Sequence, residues 1–254
     1  MKFLLPCMVC LKENKVLNIN FNDVNVNDEG IYELTCNKGH KTHLISQNEK
    51  FEILFDMSIS ALLDGYKQEA VSCLASSLER FHEWCISVFS VNNGVSFEEY
   101  EKTWKYVSSQ SERQLGAFYF LYLQEFKKRP EDINNTIMKT YKKNKEKQNI
   151  TKFRNEVIHN GYIPTDEQVN EYGEYLFNYI NKNLTIIKEK YNKSLIEVNM
   201  HKLNKKYSFE SDYPKATKGE VTALGLLAAK NENKTFKDAI EYIKKQEELI
   251  NTIH

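Results

Sequence analysis

Residues 66–90 read YKQEAVSCLASSLERFHEWCISVFS, and this stretch decides the fold class. Ala70, Cys73, Leu74, Phe81, Trp84, Cys85 and Val88 recur mostly at three- and four-residue steps, the spacing that aligns side chains along one stripe of an α-helix. Asp64-Gly65 before the stretch and Asn92-Asn93-Gly94 after it supply the breakers that bound it. A long amphipathic helix is therefore expected from Tyr66 to Ser90.

The same period extends to both sides. Phe51, Leu54, Phe55, Ile59, Leu62 and Leu63 predict a helix beginning at Phe51. Phe97 to Phe126 predicts at least one more, and its segment Ala117-Phe118-Tyr119-Phe120-Leu121-Tyr122-Leu123 is apolar enough to be expected buried on most sides, as core and not as a base-stacking platform. A weaker, basic helix is expected after Pro130. Another starts near Thr165, where Thr165 and Gln168 form a capping box and Tyr172, Leu176, Tyr179, Ile180 and Ile187 continue the stripe. Asp212-Tyr213-Pro214 reads as a break, after which Thr217 with Glu220 and Thr235 with Asp238 repeat the helix-start signature. Only nine glycines and four prolines favour long helices over a strand-rich fold. The 41% of hydrophobic residues suffices for a core, and charged residues of 28% that balance to zero exclude a disordered polyelectrolyte.

Residues 1–48 differ from the rest. Val16-Leu17-Asn18-Ile19-Asn20-Phe21 and Ile31-Tyr32-Glu33-Leu34 alternate in the manner of strands, with turn chemistry at Asn27-Asp28-Glu29-Gly30 between them. Cys7-Met8-Val9-Cys10 and Cys36-Asn37-Lys38-Gly39-His40 supply two closely spaced ligand pairs that can wrap one tetrahedral ion, Gly39 permitting the tight turn. The expectation is a zinc ribbon with one structural zinc per chain held by Cys7, Cys10, Cys36 and His40. His43 is an alternative to His40, although the spacing and Gly39 favour His40. A closed ligand set has no open position, so no catalytic metal is expected. Too small to carry a core unaided, this β module is expected to join the helical part directly.

The chemically richest segment is Phe153-Arg154-Asn155-Glu156-Val157-Ile158-His159-Asn160-Gly161. A guanidinium offers a fixed fork to a phosphate, an imidazole exchanges protons near neutrality, and a carboxamide can orient either. These are the parts needed for the ribose 2′-OH of RNA to attack its neighbouring phosphate without a metal. On a helix, Asn155 and His159 share a face, whereas Arg154 lies about 140° from His159. Its stem must curl round or the helix must begin after it. Phe153, Val157 and Ile158 are expected to anchor the segment, and Asn160-Gly161 to end it in a left-handed cap. Upstream, residues 127–154 hold ten Lys and Arg against Glu131, Asp132 and Glu146, a footprint for a phosphate backbone. Lys142, Lys143, Lys145, Lys147 and Lys152 are its candidate RNA-binding residues.

The run from Arg154 to Gly161 resembles the Arg-x4–6-His signature of HEPN domains, in the form that begins Arg-Asn and ends His-Asn-Gly. The ordered text Glu69-Ala70 and Ser76-Ser77-Leu78-Glu79-Arg80-Phe81 is similar to an early HEPN helix, and the Pro164-Thr165 start is similar to the segment downstream of the HEPN motif. The resemblance covers roughly residues 51 to 195. It implies a mainly α, HEPN-like bundle; with the zinc ribbon read above preceding it, the expected domains are 1–48, 49–195 and a helical extension at 196–254. It also implies a homodimer that joins two motifs in one composite endoribonuclease site, with Arg154 and His159 carrying the chemistry and Asn155 supporting them. Glu79 and Arg80 are implied as second-tier residues near the motif. The products would end in 2′,3′-cyclic phosphate, and the setting would be phage defence or a toxin-like system with an antitoxin or trigger as partner.

Two other readings stand beside this one: a HEPN-fold module that binds nucleotides or partners without catalysis, and a zinc-ribbon DNA-binding regulator. Against the second, the lysines of the ribbon are offset by Glu13, Asp23, Asp28, Glu29 and Glu33. His82, His201 and His254 lie in no motif. No apolar run reaches the roughly 18 residues of a membrane span, and the opening Met1–Cys7 lacks a signal h-region, so a cytoplasmic, membrane-free protein is expected.

Overall fold

The computed structural model describes residues 2–14, 21–226 and 235–253. In chain order they form β1 (Lys2–Pro6), α1 (Met8–Asn14), β2 (Phe21–Asn25), β3 (Ile31–Thr35), β4 (Lys41–Ser46), α2 (Lys50–Leu63), α3 (Lys67–Asn92), α4 (Phe97–Trp104) and α5 (Ser111–Phe126). The chain continues through β5 (Ile137–Lys143), β6 (Glu146–Asn149), α6 (Ile150–Asn160), α7 (Asp166–Lys190), α8 (Asn192–Tyr207), β7 (Lys215–Lys218) and α9 (Phe236–Ile253). The protein is thus mainly helical with small sheets. No helix among the described residues is long and apolar enough to cross a membrane. Two compact units form, one from Met1–Asn48, Asn199–Val221 and Lys245–His254, the other from Glu49–Val198 and Thr222–Lys244.

In the first unit, β1 and β2 pair antiparallel, and β3 and β4 do the same. Phe3 and Tyr32 meet edge to face among the buried side chains, with Leu5, Leu34, Leu44 and Ile45 also buried. The alternation of Ile31–Leu34 forms a strand as expected; residues 15–20, which hold most of the other alternating run, lie outside the described residues. Thr217 does not begin a helix. It sits in β7, which runs parallel to β4 and satisfies that strand's free edge, with Gln47 N–H donating to Lys218 C=O at 2.9 Å and Gln47 Nε2 to Thr217 Oγ1 at 2.8 Å. A short polar segment has no strong helix preference of its own, so an unpaired strand edge can capture it.

The second unit is a helical bundle. Phe51, Phe81 and Trp84 form one aromatic cluster of its core, and Phe55, Phe177 and Phe236 another. The expected starts and stops recur here. The Thr165–Gln168 capping box opens α7, and Gly161, at φ 67°, closes α6 in the left-handed conformation. Thr235 and Asp238 open α9 with reciprocal bonds. Two buried carboxylates on α2 were not legible as such. Glu52 accepts from Thr222 Oγ1 and Leu226 N–H at 2.6 and 2.9 Å, and Asp56 accepts from Ala223 N–H at 2.9 Å. Together they take up the backbone donors of Ala223 and Leu226 and the Thr222 hydroxyl, which explains acids on a buried helix face.

Three further expectations are corrected. The basic segment after Pro130 is not a helix but a hairpin of β5 and β6, turned by Asn144 and Lys145, both at positive φ (54° and 67°). A register shift between Ile137 and Lys142 lets Met138 and Tyr141, three residues apart, both be buried, and that spacing imitates a helix. Within 117–123, Phe118 and Tyr122 are buried, yet Phe120 is 71% and Leu123 41% exposed, because α5 packs on α3 through one face only. In α6, Phe153 and Val157 anchor the helix as expected, whereas Ile158 is 37% exposed.

Candidate functional site

Cys7 follows β1, Cys10 lies in the first turn of α1, and Cys36 and His40 flank the turn between β3 and β4. That turn is fixed by Gly39 at φ 80°, by Gly39 N–H donating to Cys36 C=O at 2.8 Å and by Cys36 N–H donating to His40 C=O at 3.1 Å. The three sulfurs and one imidazole nitrogen lie within 4.8 Å of one another. Cys10 Sγ stands 3.8 Å from Cys36 Sγ and 3.4 Å from His40 Nδ1, and Cys7 Sγ is 3.9 Å from the same nitrogen. An ion at the centre of a tetrahedron, with metal–sulfur bonds of about 2.3 Å and metal–nitrogen bonds of about 2.0 Å, gives edges of about 3.8 Å and about 3.5 Å. The four donors therefore fit one four-coordinate metal ion. Backbone amides of Val9 and Cys10 face Cys7 Sγ, whose pKa burial nevertheless pushes up, whereas those of Lys38 and His40, with the Cys7 and Cys10 thiols, outweigh burial and lower that of Cys36. His40 Nε2 lies 3.9 Å from Glu13 Oε1, a carboxylate positioned to orient the ring. His43 is not the fourth ligand: its Nδ1 lies 2.8 Å from Ser211 Oγ, and its ring stacks on Tyr213.

The second cluster lies in the helical unit. Arg154 is inside α6, so the helix does not begin after it, and its stem turns towards α3 instead. Its Nη2 donates to Glu79 Oε1 at 2.7 Å and its Nη1 to Asn155 Oδ1 at 3.0 Å. Arg154 and Glu79 are both half-buried and line a cavity of about 270 Å³ together with His82, Gln114 and Tyr172. His159 does not line that cavity. It is exposed in the last turn of α6, beside the exposed Ile158 and near Ile163, which is 74% exposed. Within one chain the structure thus brings Arg154, Asn155 and Glu79 together and leaves His159 outside. Arg80 does not itself line the cavity but donates to Glu83 Oε2 at 2.6 Å and to the lining residue Gln114, at Oε1, at 3.0 Å.

The candidate RNA-binding lysines share one local framework. Lys142, Lys143, Lys145 and Lys147 are exposed on the β5–β6 hairpin, and Lys152 is exposed in the first turn of α6. Asn149 ends the hairpin and caps the helix, its Oδ1 accepting from Lys152 N–H at 2.9 Å. Lys143 pairs with Glu156 of α6. Hydrogen bonds from Lys143 and Asn160 hold the Glu156 carboxyl below its ordinary range.

No protein-family model, curated protein or solved structure is matched by the chain.

The cavity contains residues that the sequence did not single out for function. His82 has no motif around it, yet it is buried in the cavity wall, its ring 4.4 Å from that of Phe118 and its Nε2 3.1 Å from Tyr179 Oη. Burial pushes its pKa down to about 3, so it is a neutral polar group here and not a proton shuttle. Gln114 is buried too, donating to Ser108 C=O at 2.8 Å while accepting from Arg80. His82 shares α3 with Glu79, whereas only the placement of α5 against α3 brings Gln114 to the cavity, and no local signal in the sequence marks it.

Proposed function

We propose that the protein is a metal-independent endoribonuclease of the HEPN type, acting as a homodimer. The observation that carries this reading is Arg154, held by Glu79 and Asn155 in the wall of a concave site, on the helix that a lysine-rich hairpin leads into. An RNA backbone on Lys142, Lys145, Lys147 and Lys152 would run towards that helix. The ribose 2′-OH attacks phosphorus and gives its proton to the His159 imidazole. The new O2′–P bond replaces the P–O5′ bond, and the leaving 5′-oxygen takes a proton from water. Arg154 balances the charge on the non-bridging oxygens. The opposed placement of Arg154 and His159 around α6 fits a composite site, in which a second copy covers Ile158 and Ile163 and brings its own motif alongside. On the same reading the Cys7, Cys10, Cys36 and His40 cluster holds a closed structural zinc that takes no part in catalysis. The biological setting we propose is phage defence or a toxin-like system with an antitoxin or trigger.

The test is cleavage of total tRNA and of a labelled single-stranded RNA in the presence of chelator, with the ends of the products mapped. Wild type should cut to leave 2′,3′-cyclic or 3′-phosphate and 5′-OH ends, while Arg154→Ala and His159→Ala, folded and of unchanged oligomeric state, should not. Undiminished cutting by His159→Ala, 5′-phosphate ends, or a strictly monomeric active enzyme would each overturn the mechanism.

A further inference from the structure

A groove of about 870 Å³ lies on the outer face of α5, bordered by α7 and the segment after α5. Two of its wall residues are apolar side chains that the bundle leaves in water: Phe120, 71% exposed, and Leu123, 41% exposed. Three residues apart, they share one face of α5. Lys127 ends the helix in the left-handed conformation, φ 55°, and turns the chain so that Lys128 and Arg129 line the same groove.

The charges of the groove are not balanced. Glu131 is taken by Lys182 at 2.8 Å. Asp132 keeps its charge, accepting from the neutral donors Tyr119 Oη at 2.9 Å and Asn135 Nδ2 at 2.6 Å, so the cations Lys128, Arg129 and Lys182 stand against the carboxylates Glu131 and Asp132. Lys128 and Arg129 are exposed and have no ion-pair partner among the described residues. What remains is a net positive rim beside an exposed aromatic ring, in a cavity of the size that takes small organic ligands.

We propose that this groove binds single-stranded RNA, with one base stacked on Phe120 and the adjoining phosphates held by Lys128 and Arg129. Unpaired bases offer the flat apolar face that Phe120 lacks, and the same strand carries an anion at every step; a duplex hides the first and keeps only the second. A second copy is disfavoured as occupant, because a two-fold contact here would bring the unpaired cations of both copies together. The choice of RNA over another polyanion rests on the ribonuclease reading above.

The experiment uses the full chain carrying His159→Ala, so that the strand stays intact, and a fluorescein-labelled single-stranded RNA of mixed sequence containing 4-thiouridine. In this background Phe120→Ala should weaken binding by about 5- to 150-fold, and Phe120→Trp should retain it. Lys128→Gln and Arg129→Gln should each lower the slope of log affinity against log salt by about 0.7. Photocrosslinks should include residues 111–132, beside any on the hairpin that the ribonuclease reading also places against RNA. Equal affinity of Phe120→Ala and its parent, no crosslink within 111–132, no binding by the parent, or loss of a dimer on Phe120→Ala without loss of RNA affinity would overturn the proposal. If wild type cuts RNA while Phe120→Ala binds normally, the groove fails and the ribonuclease reading stands. If RNA binds and crosslinks here but is never cut, the groove stands and the ribonuclease reading fails.

Discussion

Glu171 is the fastening between the lysine hairpin and the bundle, and its removal should be felt by both. Its Oε1 accepts from Lys139 N–H at 2.6 Å and from Tyr175 Oη at 3.0 Å, while Oε2 accepts from Thr140 N–H at 2.9 Å and from Thr140 Oγ1. Both backbone donors belong to β5, so one carboxylate of α7 takes the place of a missing neighbouring strand. Glu171→Gln keeps the shape but turns an NH2 group towards one set of donors. A hydrogen bond to a charged group contributes about 1.5–3 kcal/mol, and because this site is only partly buried, a loss of about 1–3 kcal/mol is expected for the substitution as a whole. The loss should appear as faster amide hydrogen exchange at Lys139 and Thr140 and, on the proposed function, as weaker binding of RNA. The pH dependence has a definite sign. Partial burial alone would raise the Glu171 carboxyl, but donors from Thr140, Lys139 and Tyr175 outweigh it and hold it below its ordinary value. A carboxyl depressed on folding stabilises above its unfolded pKa of about 4.3, and the contribution is lost as pH falls through the lower folded value. Wild type should therefore lose hairpin protection below about pH 4 and Glu171→Gln should show no such step. Equal exchange rates at Lys139 and Thr140 in the two proteins at neutral pH would refute the reasoning.

Three further outcomes are expected. Gly173→Ala should destabilise by about 1–3 kcal/mol in thermal or denaturant unfolding, although alanine is the better helix former, because the new Cβ would meet the buried Phe236 ring at 2.4 Å; a stabilised variant would contradict that packing. His82 is neutral when folded and titrates near 6.5 when unfolded, so stability should fall as pH drops below 6.5, by up to about 1.4 kcal/mol per pH unit; His82→Gln should flatten that dependence, and parallel curves would refute it. Protein purified without added metal should contain one bound ion per chain by elemental analysis. Cys36→Ser should lower that content and loosen the unit built on residues 1–48; unchanged metal content would remove the cluster as a binding site.

By itself the sequence determined what depends on near neighbours along the chain. The stripe of 66–90 placed α3 within two residues, since helix periodicity is a property of consecutive positions. The Thr165–Gln168 box and the Gly161 cap were legible because capping is settled within one turn. The spacing within Cys7–Cys10 and Cys36–His40 marked the ligand pairs, and the fold then set the two knuckles together. Tertiary structure decided the rest. Residues 137–149 became a hairpin because a bulge and two left-handed residues let Met138 and Tyr141 reach the core. Residues 215–218 became a strand because β4, some 170 positions earlier in the chain, offered an edge. The ion pair of Arg154 with Glu79, 75 residues apart, and the burial of Glu52 and Asp56 under residues 222–226 obey the same rule. Each pairs groups that are distant along the chain, and no periodicity records such a pairing. Their geometry arises only once apolar stripes have packed and left particular polar atoms facing one another.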